Sequence, residues 1–116
     1  ILAGINSKNK ISNEEVSNKT IECLKNSVPK EVPGIAFLSG GQSEIEATEN
    51  LNLINKNNST NFIMTYSYGR ALQQSALKFW SKDITKITET QNVFNHRARM
   101  CTLAAQGKWT NDLENK

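Results

Sequence analysis

Two short stretches carry residue types able to hold an anion. Ser39-Gly40-Gly41 follows the apolar run Ile35-Ala36-Phe37-Leu38, and Ser67-Tyr68-Gly69-Arg70 follows Phe62-Ile63-Met64-Thr65-Tyr66. Each apolar run ends in Ser-x-Gly and passes at once into a helix-type pattern. A helix N-terminus carries unpaired backbone amides and a partial positive charge. Glycine lets an anion approach the backbone with no Cβ in the way. Two neighbouring strands ending this way set two groups of amides side by side, which is a cradle for phosphate. Arg70 adds to this. A cation at a helix start is unfavourable by about 0.3–1 kcal/mol, and an anion held there reverses the sign. Taken alone, Ser39-Gly40-Gly41 reads equally as a plain tight turn, and Arg70 alone as a side chain in water. The pairing favours a phosphate.

The surrounding pattern is built to position such turns. Ser12 and Glu15 form a capping-box pair that starts a first helix, with Val16, Cys23, Leu24 and Val28 near helical spacing and Pro29 as its stop. Ser43 and Glu46 repeat the capping box, and Ala47, Leu51 and Ile54 give the second helix its apolar stripe. Leu72, Ala76, Leu77 and Trp80 share a face of a third helix. A long last helix runs from about Thr85 to Gln106, with Phe94, Ala98, Cys101 and Ala105 inward and Gly107 as its end. Residues Ile1 to Ile11 read as the end of a strand and then a polar loop. Helices alternating with short, continuously apolar strands imply an α/β fold with a parallel sheet whose strands are covered on both faces. Two parallel strands do not stand alone. The chain opens on "ILAGIN", with no initiator methionine, and so reads as a piece of a larger barrel or sheet. A phosphate site after the last two strands is a recurrent feature of (β/α)8 barrels. No G-x-G-x-x-G occurs, and no Gly-Lys-Ser/Thr follows the glycines, so neither the dinucleotide nor the P-loop fingerprint applies.

Bulk properties narrow the partners. Charged residues make up 22% of the chain and the net charge is +3. Lysines and arginines are interleaved with glutamates, so no basic stripe argues for nucleic acid. No apolar run is long enough for a membrane span. Cys23 and Cys101 lie far apart in helix-like stretches, which reads as a reduced, intracellular protein with buried thiols. His96, the single histidine, reads as a surface or packing residue, and Trp80 and Trp109 read as packing residues rather than stacking platforms.

"VPGIAFLSGGQSEIEAT", "LNLIN", "TYSYGRALQQSALKFW" and "AQGKWT" together closely resemble the class I fructose-1,6-bisphosphate aldolases, over about Ile1 to Thr110. The resemblance implies the last βα units of a (β/α)8 TIM barrel: strands seven and eight with their flanking helices, residues 1–116 being the C-terminal portion of a single domain whose earlier strands are absent. It implies a cytoplasmic enzyme of glycolysis and gluconeogenesis that cleaves fructose 1,6-bisphosphate reversibly to dihydroxyacetone phosphate and glyceraldehyde 3-phosphate. The chemistry runs through a lysine Schiff base, with no metal or other cofactor. The resemblance assigns Ser39, Gly40 and Gly41 to the turn that binds the C1 phosphate. It assigns Ser67, Gly69 and Arg70 to a second phosphate-binding turn. It also implies a homotetramer for the full-length protein and is compatible with cytoskeletal or adhesin partners.

Departures from the family pattern matter as much. The Schiff-base lysine of the family falls a few residues before the position matching Ile1, and Lys8 and Lys10 do not align with it. No catalytic residue is therefore expected in this chain, which by itself is expected to be inactive. The tail with the family's functional tyrosine is also missing. Ile45 stands where a carboxylate is frequent and Trp109 where tyrosine is usual. The rival expectation is a non-catalytic barrel fragment that binds anions or proteins, and the sequence preceding Ile1 discriminates the two.

Overall fold

The computed structural model describes residues 2–116. Its elements run α1 (Asn13–Ser27), β1 (Gly34–Phe37), α2 (Glu44–Lys56), β2 (Ile63–Tyr66), α3 (Arg70–Trp80), α4 (Ile87–Ala105) and a closing 3-10 turn (Asn111–Asn115). This is the order the sequence pattern implies. The strands pair in parallel, with Gly34 opposite Ile63, Ile35 opposite Met64, Ala36 opposite Thr65 and Phe37 opposite Tyr66.

Side chains alternate across a strand, so this register sorts the sheet into two faces. Ile35, Phe37, Met64 and Tyr66 face the helices and join two apolar clusters. One cluster holds Ile21, Ile54, Phe62 and Met64 between α1, α2 and the sheet. The other packs Ala47, Leu51, Tyr68, Ala71, Met100, Cys101, Ala104 and Trp109 where α2, α3 and α4 meet. The opposite face is open: Ala36 and Thr65 are exposed, and Leu38 and Ile63 are 76% and 73% exposed. The expectation of strands covered on both faces thus holds for one face only within this chain. All helices among the described residues lie on the covered side, as on the outside of a barrel wall.

Gly34 is a packing requirement. A Cβ there would meet the Ile63 carbonyl oxygen at 2.8 Å, so only glycine lets β2 come this close at the start of the ladder. Gly107 ends α4 at φ 67. Its amide donates to the Ala104 carbonyl at 3.0 Å and the Lys108 amide to Leu103 at 2.9 Å, the paired bonds of a Schellman stop.

Several local expectations need correction. Among the described residues, 2–12 form no strand, and Ile1 lies outside them. Ser12 caps α1 by accepting from the Glu15 amide at 3.1 Å, but no carboxylate bond returns from Glu15. Cys23 is exposed rather than buried; the buried residues of α1, Val16, Ser17, Thr20 and Ile21, all precede it. Cys23 lies seven residues from Val16, on nearly the same side of the helix, so its exposure reflects where along α1 full burial ends rather than which way it points. On α3, Ala71 and Ala76 are buried while Leu77 and Trp80 are exposed. The inner face of α4 is Arg97, Met100, Cys101 and Ala104. Cys101 is buried as expected, but Arg97 and Ala104 take the places expected of Ala98 and Ala105. The cause is Arg97, which turns inward to an acidic partner described below.

Candidate functional site

The two Ser-x-Gly turns leave the same end of the sheet on adjacent strands. The Ser67 amide donates to the Phe37 carbonyl at 2.8 Å, so the ladder continues one step into the second turn. The register then carries Ser39 alongside Tyr68. All six residues singled out in the sequence, Ser39, Gly40, Gly41, Ser67, Gly69 and Arg70, sit in this one region.

The first turn is rigidly closed. The Ser39 carbonyl accepts from the Gln42 amide at 3.1 Å and from Gln42 Nε2 at 2.9 Å. Gln42 Oε1 in turn accepts from Asn50 Nδ2 at 2.7 Å, tying the turn to α2. Gly40 takes φ 56, a conformation that disfavours any residue with a Cβ. Gly41 and Gly69 are different. Their φ is not positive, and a Cβ at either would meet nothing within 4 Å. Neither backbone strain nor packing among the described residues requires glycine there. What the missing side chains leave is open space above the two turns.

The two helix starts differ in what they leave free. At α2 the capping box is complete: Ser43 Oγ accepts from the Glu46 amide at 3.1 Å, and Glu46 Oε2 accepts from the Ser43 amide at 3.3 Å. At α3 the cap is Gly69, with no side-chain cap bond and no acidic residue in the first turn. The amides of Gly69 and Arg70 donate no hydrogen bond among the described residues, and neither do those of Gly40 and Gly41. Ser67, Gly69 and Arg70 are exposed; Ser39 is buried. A cleft of about 270 Å³ opens beside the first turn, lined by Leu38, Ser39, Gly40, Gln42 and Leu51 and, from the second turn, Tyr68. Arg70 is not part of its wall.

Two side chains tie the turns together. Tyr68, between Ser67 and Gly69, is buried, and its hydroxyl donates to the Ala47 carbonyl of α2 at 2.9 Å. Its ring leans on Tyr66 with centroids 5.3 Å apart. Burial pushes the Tyr68 phenol far above its ordinary pKa, with Cys101 and Tyr66 adding to this, so the hydroxyl keeps its proton and remains a donor. Glu44, the first residue of α2, reaches α3: Oε1 accepts from the Ser75 amide at 2.8 Å and Oε2 from the Ser75 hydroxyl. Behind it lies a buried polar cluster. Arg97 makes a bidentate pair with Glu114 at 2.9 and 2.8 Å, donates to Thr48 Oγ1 at 3.2 Å, and brings Nε within 3.9 Å of Glu44. Trp109 Nε1 donates to Glu114 at 2.8 Å, and His96 Nε2 lies 3.5 Å from the same carboxylate. Burial opposes ionisation of Glu114, yet the bonds from Arg97 and Trp109 prevail and hold its carboxyl below the ordinary range. Burial raises the Cys101 thiol, against a hydrogen bond to Thr48 and the charge of Arg97.

None of Tyr68, Glu44 or Arg97 stands out in the sequence as part of a site. Tyr68 sits inside a turn motif, where its partner 21 residues away is invisible. Glu44 and Arg97 look like ordinary helix-surface charges. The one sequence signal for Arg97 is its position one residue before Ala98 of the expected apolar stripe of α4.

The family model for fructose-bisphosphate aldolase class-I matches residues 1–116. The chain belongs to the class I fructose-bisphosphate aldolases. It is 43% identical over 110 residues to a probable fructose-bisphosphate aldolase class 1 of Xanthomonas campestris, covering 94% of this chain and 33% of that protein. It is 46% identical over 104 residues to fructose-bisphosphate aldolase 1 of Caenorhabditis elegans, covering 89% of this chain and 28% of that protein. Among solved structures, it is similar to the fructose-bisphosphate aldolase of Plasmodium falciparum, described in complex with TRAP and a small-molecule inhibitor. The TM-score is 0.89 at 39% identity, covering 94% of this chain and 31% of that one. The chain thus spans about a third of the length of the aldolases it matches, and its fold is that of βα units of the aldolase barrel. No helix among the described residues is long and apolar enough to cross a membrane.

Proposed function

We propose that these residues are the phosphate-gripping βα units, the last two of the barrel, in a class I aldolase that cleaves fructose 1,6-bisphosphate reversibly to dihydroxyacetone phosphate and glyceraldehyde 3-phosphate. In this reading the imine-forming lysine lies outside these 116 residues, and the chain alone grips the C1 phosphate without cleaving the sugar. The observation that carries the reading is the parallel register, which sets two glycine turns with free amides side by side. Ser39 with the Gly40 and Gly41 amides takes one side of the phosphate. Ser67, the Gly69 amide and the Arg70 guanidinium take the other. The uncapped start of α3 next to an exposed arginine is a site missing its negative charge, and a phosphate supplies it.

A charge-assisted hydrogen bond contributes about 1.5–3 kcal/mol. Arg70→Ala is therefore expected to raise KM for the bisphosphate roughly tenfold to a hundredfold, and to leave KM for a ketose lacking the C1 phosphate nearly unchanged. Equal effects on both substrates remove Arg70 from the phosphate site. Borohydride reduction with dihydroxyacetone phosphate is expected to label the intact protein and to leave the 116-residue chain unlabelled; label on Lys8 or Lys10 overturns the placement of the lysine.

The same reading includes a cytoplasmic homotetramer. An Arabidopsis thaliana relative, 44% identical, is a chloroplastic aldolase, so cell fractionation decides the compartment. The Plasmodium falciparum neighbour is described with TRAP bound, and we extend a protein partner to this family member on that basis.

A further inference from the structure

We propose that Glu44 is a positioning residue for the phosphate grip, a carboxylate strut that fixes the spacing of the two turns. The inference rests on the phosphate reading above. Glu44 stands three residues after Gly41, at the first position of α2, while its partner Ser75 stands five residues after Arg70 on α3. Both oxygens of Glu44 are used on Ser75, one on the backbone amide and one on the hydroxyl. A carboxylate bound twice to one residue fixes orientation as well as distance. A helix moves as a rigid rod over such lengths, rising about 1.5 Å per residue. Holding Ser75 therefore holds Arg70, roughly 7.5 Å further along the same rod, in a set relation to the Gly40-Gly41 turn. The Tyr68 bond to Ala47 is the other strut of the pair and joins the same two segments from the turn side.

The charge of Glu44 suits this task. A negative side chain at the start of α2 is favoured by the helix dipole, and Arg97, buried on the far side at 3.9 Å, offsets it. The carboxylate thus takes its hydrogen bonds from Ser75 and has a cation nearby, and it points at the flank of α3 rather than at the open space above the turns, where it would repel a phosphate.

The experiment uses the intact protein that carries this segment, with a non-cleavable hexitol 1,6-bisphosphate and the matching hexitol 6-phosphate as probes in calorimetry. Glu44→Gln and Ser75→Ala are each expected to weaken the bisphosphate roughly tenfold, well within what a misplacement of about 1 Å costs, and to leave the 6-phosphate unchanged. Ser75→Thr keeps the hydroxyl and is expected to restore affinity. The double variant is expected to be no weaker than either single one, since both remove the same strut. If Arg70→Ala weakens the bisphosphate but Glu44→Gln and Ser75→Ala do not, the strut is refuted and the phosphate reading stands. If Arg70→Ala has no effect, the phosphate reading fails and the strut with it. Equal loss of both ligands with a lowered melting temperature makes Glu44 a stability residue only and also overturns the proposal. Should Glu44→Gln fail to fold, Ser75→Ala, which deletes one hydroxyl, decides alone.

Discussion

The buried pair of Arg97 and Glu114 makes a sharp prediction about the end of the chain. Their side chains are 8% and 9% exposed, and the guanidinium gives both terminal nitrogens to the one carboxylate. Glu114→Gln removes the charge and turns an amide NH2 toward the guanidinium. Leaving one member of a buried ion pair uncompensated costs about 3–5 kcal/mol. Two features place the effect at the low end. Arg97 keeps Thr48 as an acceptor and Glu44 at 3.9 Å, and the 3-10 turn can release the strain by swinging out locally. At about 3 kcal/mol, local opening becomes roughly a hundredfold more frequent. The reporters are the Leu113 and Lys116 amides, which donate to Thr110 and Leu113 inside the turn. The Trp109 amide is held separately by Asn52 at 3.0 Å and is expected to respond much less. Native-state hydrogen exchange on the intact protein separates the two groups. Acid is expected to mimic the substitution. The folded-state pKa of Glu114 is lowered, so its contribution is fully present above the carboxylate's unfolded pKa. It is lost as pH falls through the lowered folded value. If Glu114→Gln leaves the protection of Leu113 and Lys116 within about threefold of the parent, the ion pair does not hold the turn, and the cost assigned to an uncompensated buried charge is wrong for this site.

Other outcomes follow from single contacts. Gly34→Ala forces a Cβ against the Ile63 carbonyl at 2.8 Å and is expected to lower stability by about 1–3 kcal/mol, read as a drop in melting temperature; an unchanged melt means the strands part without cost. Gly40→Ala has room for its methyl but must hold φ 56, so a loss of about 1–2 kcal/mol in stability is expected, together with weaker bisphosphate binding. Tyr68→Phe removes the bond to Ala47, whose carbonyl keeps its helix partner within α2, so a cost of about 0.5–1.5 kcal/mol in denaturant unfolding is expected. The isolated chain exposes Leu38 and Ile63 on an open sheet face, and sedimentation is expected to show self-association; a monomer with a cooperative melt would contradict this.

The elements of this fold are legible in the sequence because each is specified locally. Ser43 and Glu46 announce the start of α2 within four residues, and the capping box forms as written. The alternation of helices with short apolar runs is enough to imply parallel pairing, and the strands do pair that way. What stays hidden depends on contacts between distant residues. The inner face of α4 departs from its apolar pattern because residue type sends an arginine to solvent, whereas this one has a carboxylate partner 17 residues later in the 3-10 turn. Cys23 departs differently: its type and its place seven residues from buried Val16 suggest the inside, yet full burial on α1 ends at Ile21 and Cys23 is exposed. Leu77 and Trp80 show a third limit. They are spaced as a packing face, yet both stay exposed in this chain.

The glycines show how the site itself divides between what sequence can and cannot tell. As residue types, Gly34, Gly40, Gly41 and Gly69 are identical, and only geometry separates their reasons. Gly34 is needed by a neighbouring strand and Gly40 by its own backbone. Gly41 and Gly69 satisfy neither need, yet like Gly40 they leave space beside free amides. A glycine with no internal cause is better evidence for a ligand than one that a turn already explains. Gly41 and Gly69 therefore speak for a phosphate more strongly than Gly40, whose positive φ accounts for it without any ligand. Substituting Gly41 by alanine is accordingly expected to spare stability and to weaken bisphosphate binding, the opposite balance from Gly34→Ala; a stability loss without a binding loss would remove Gly41 from the site.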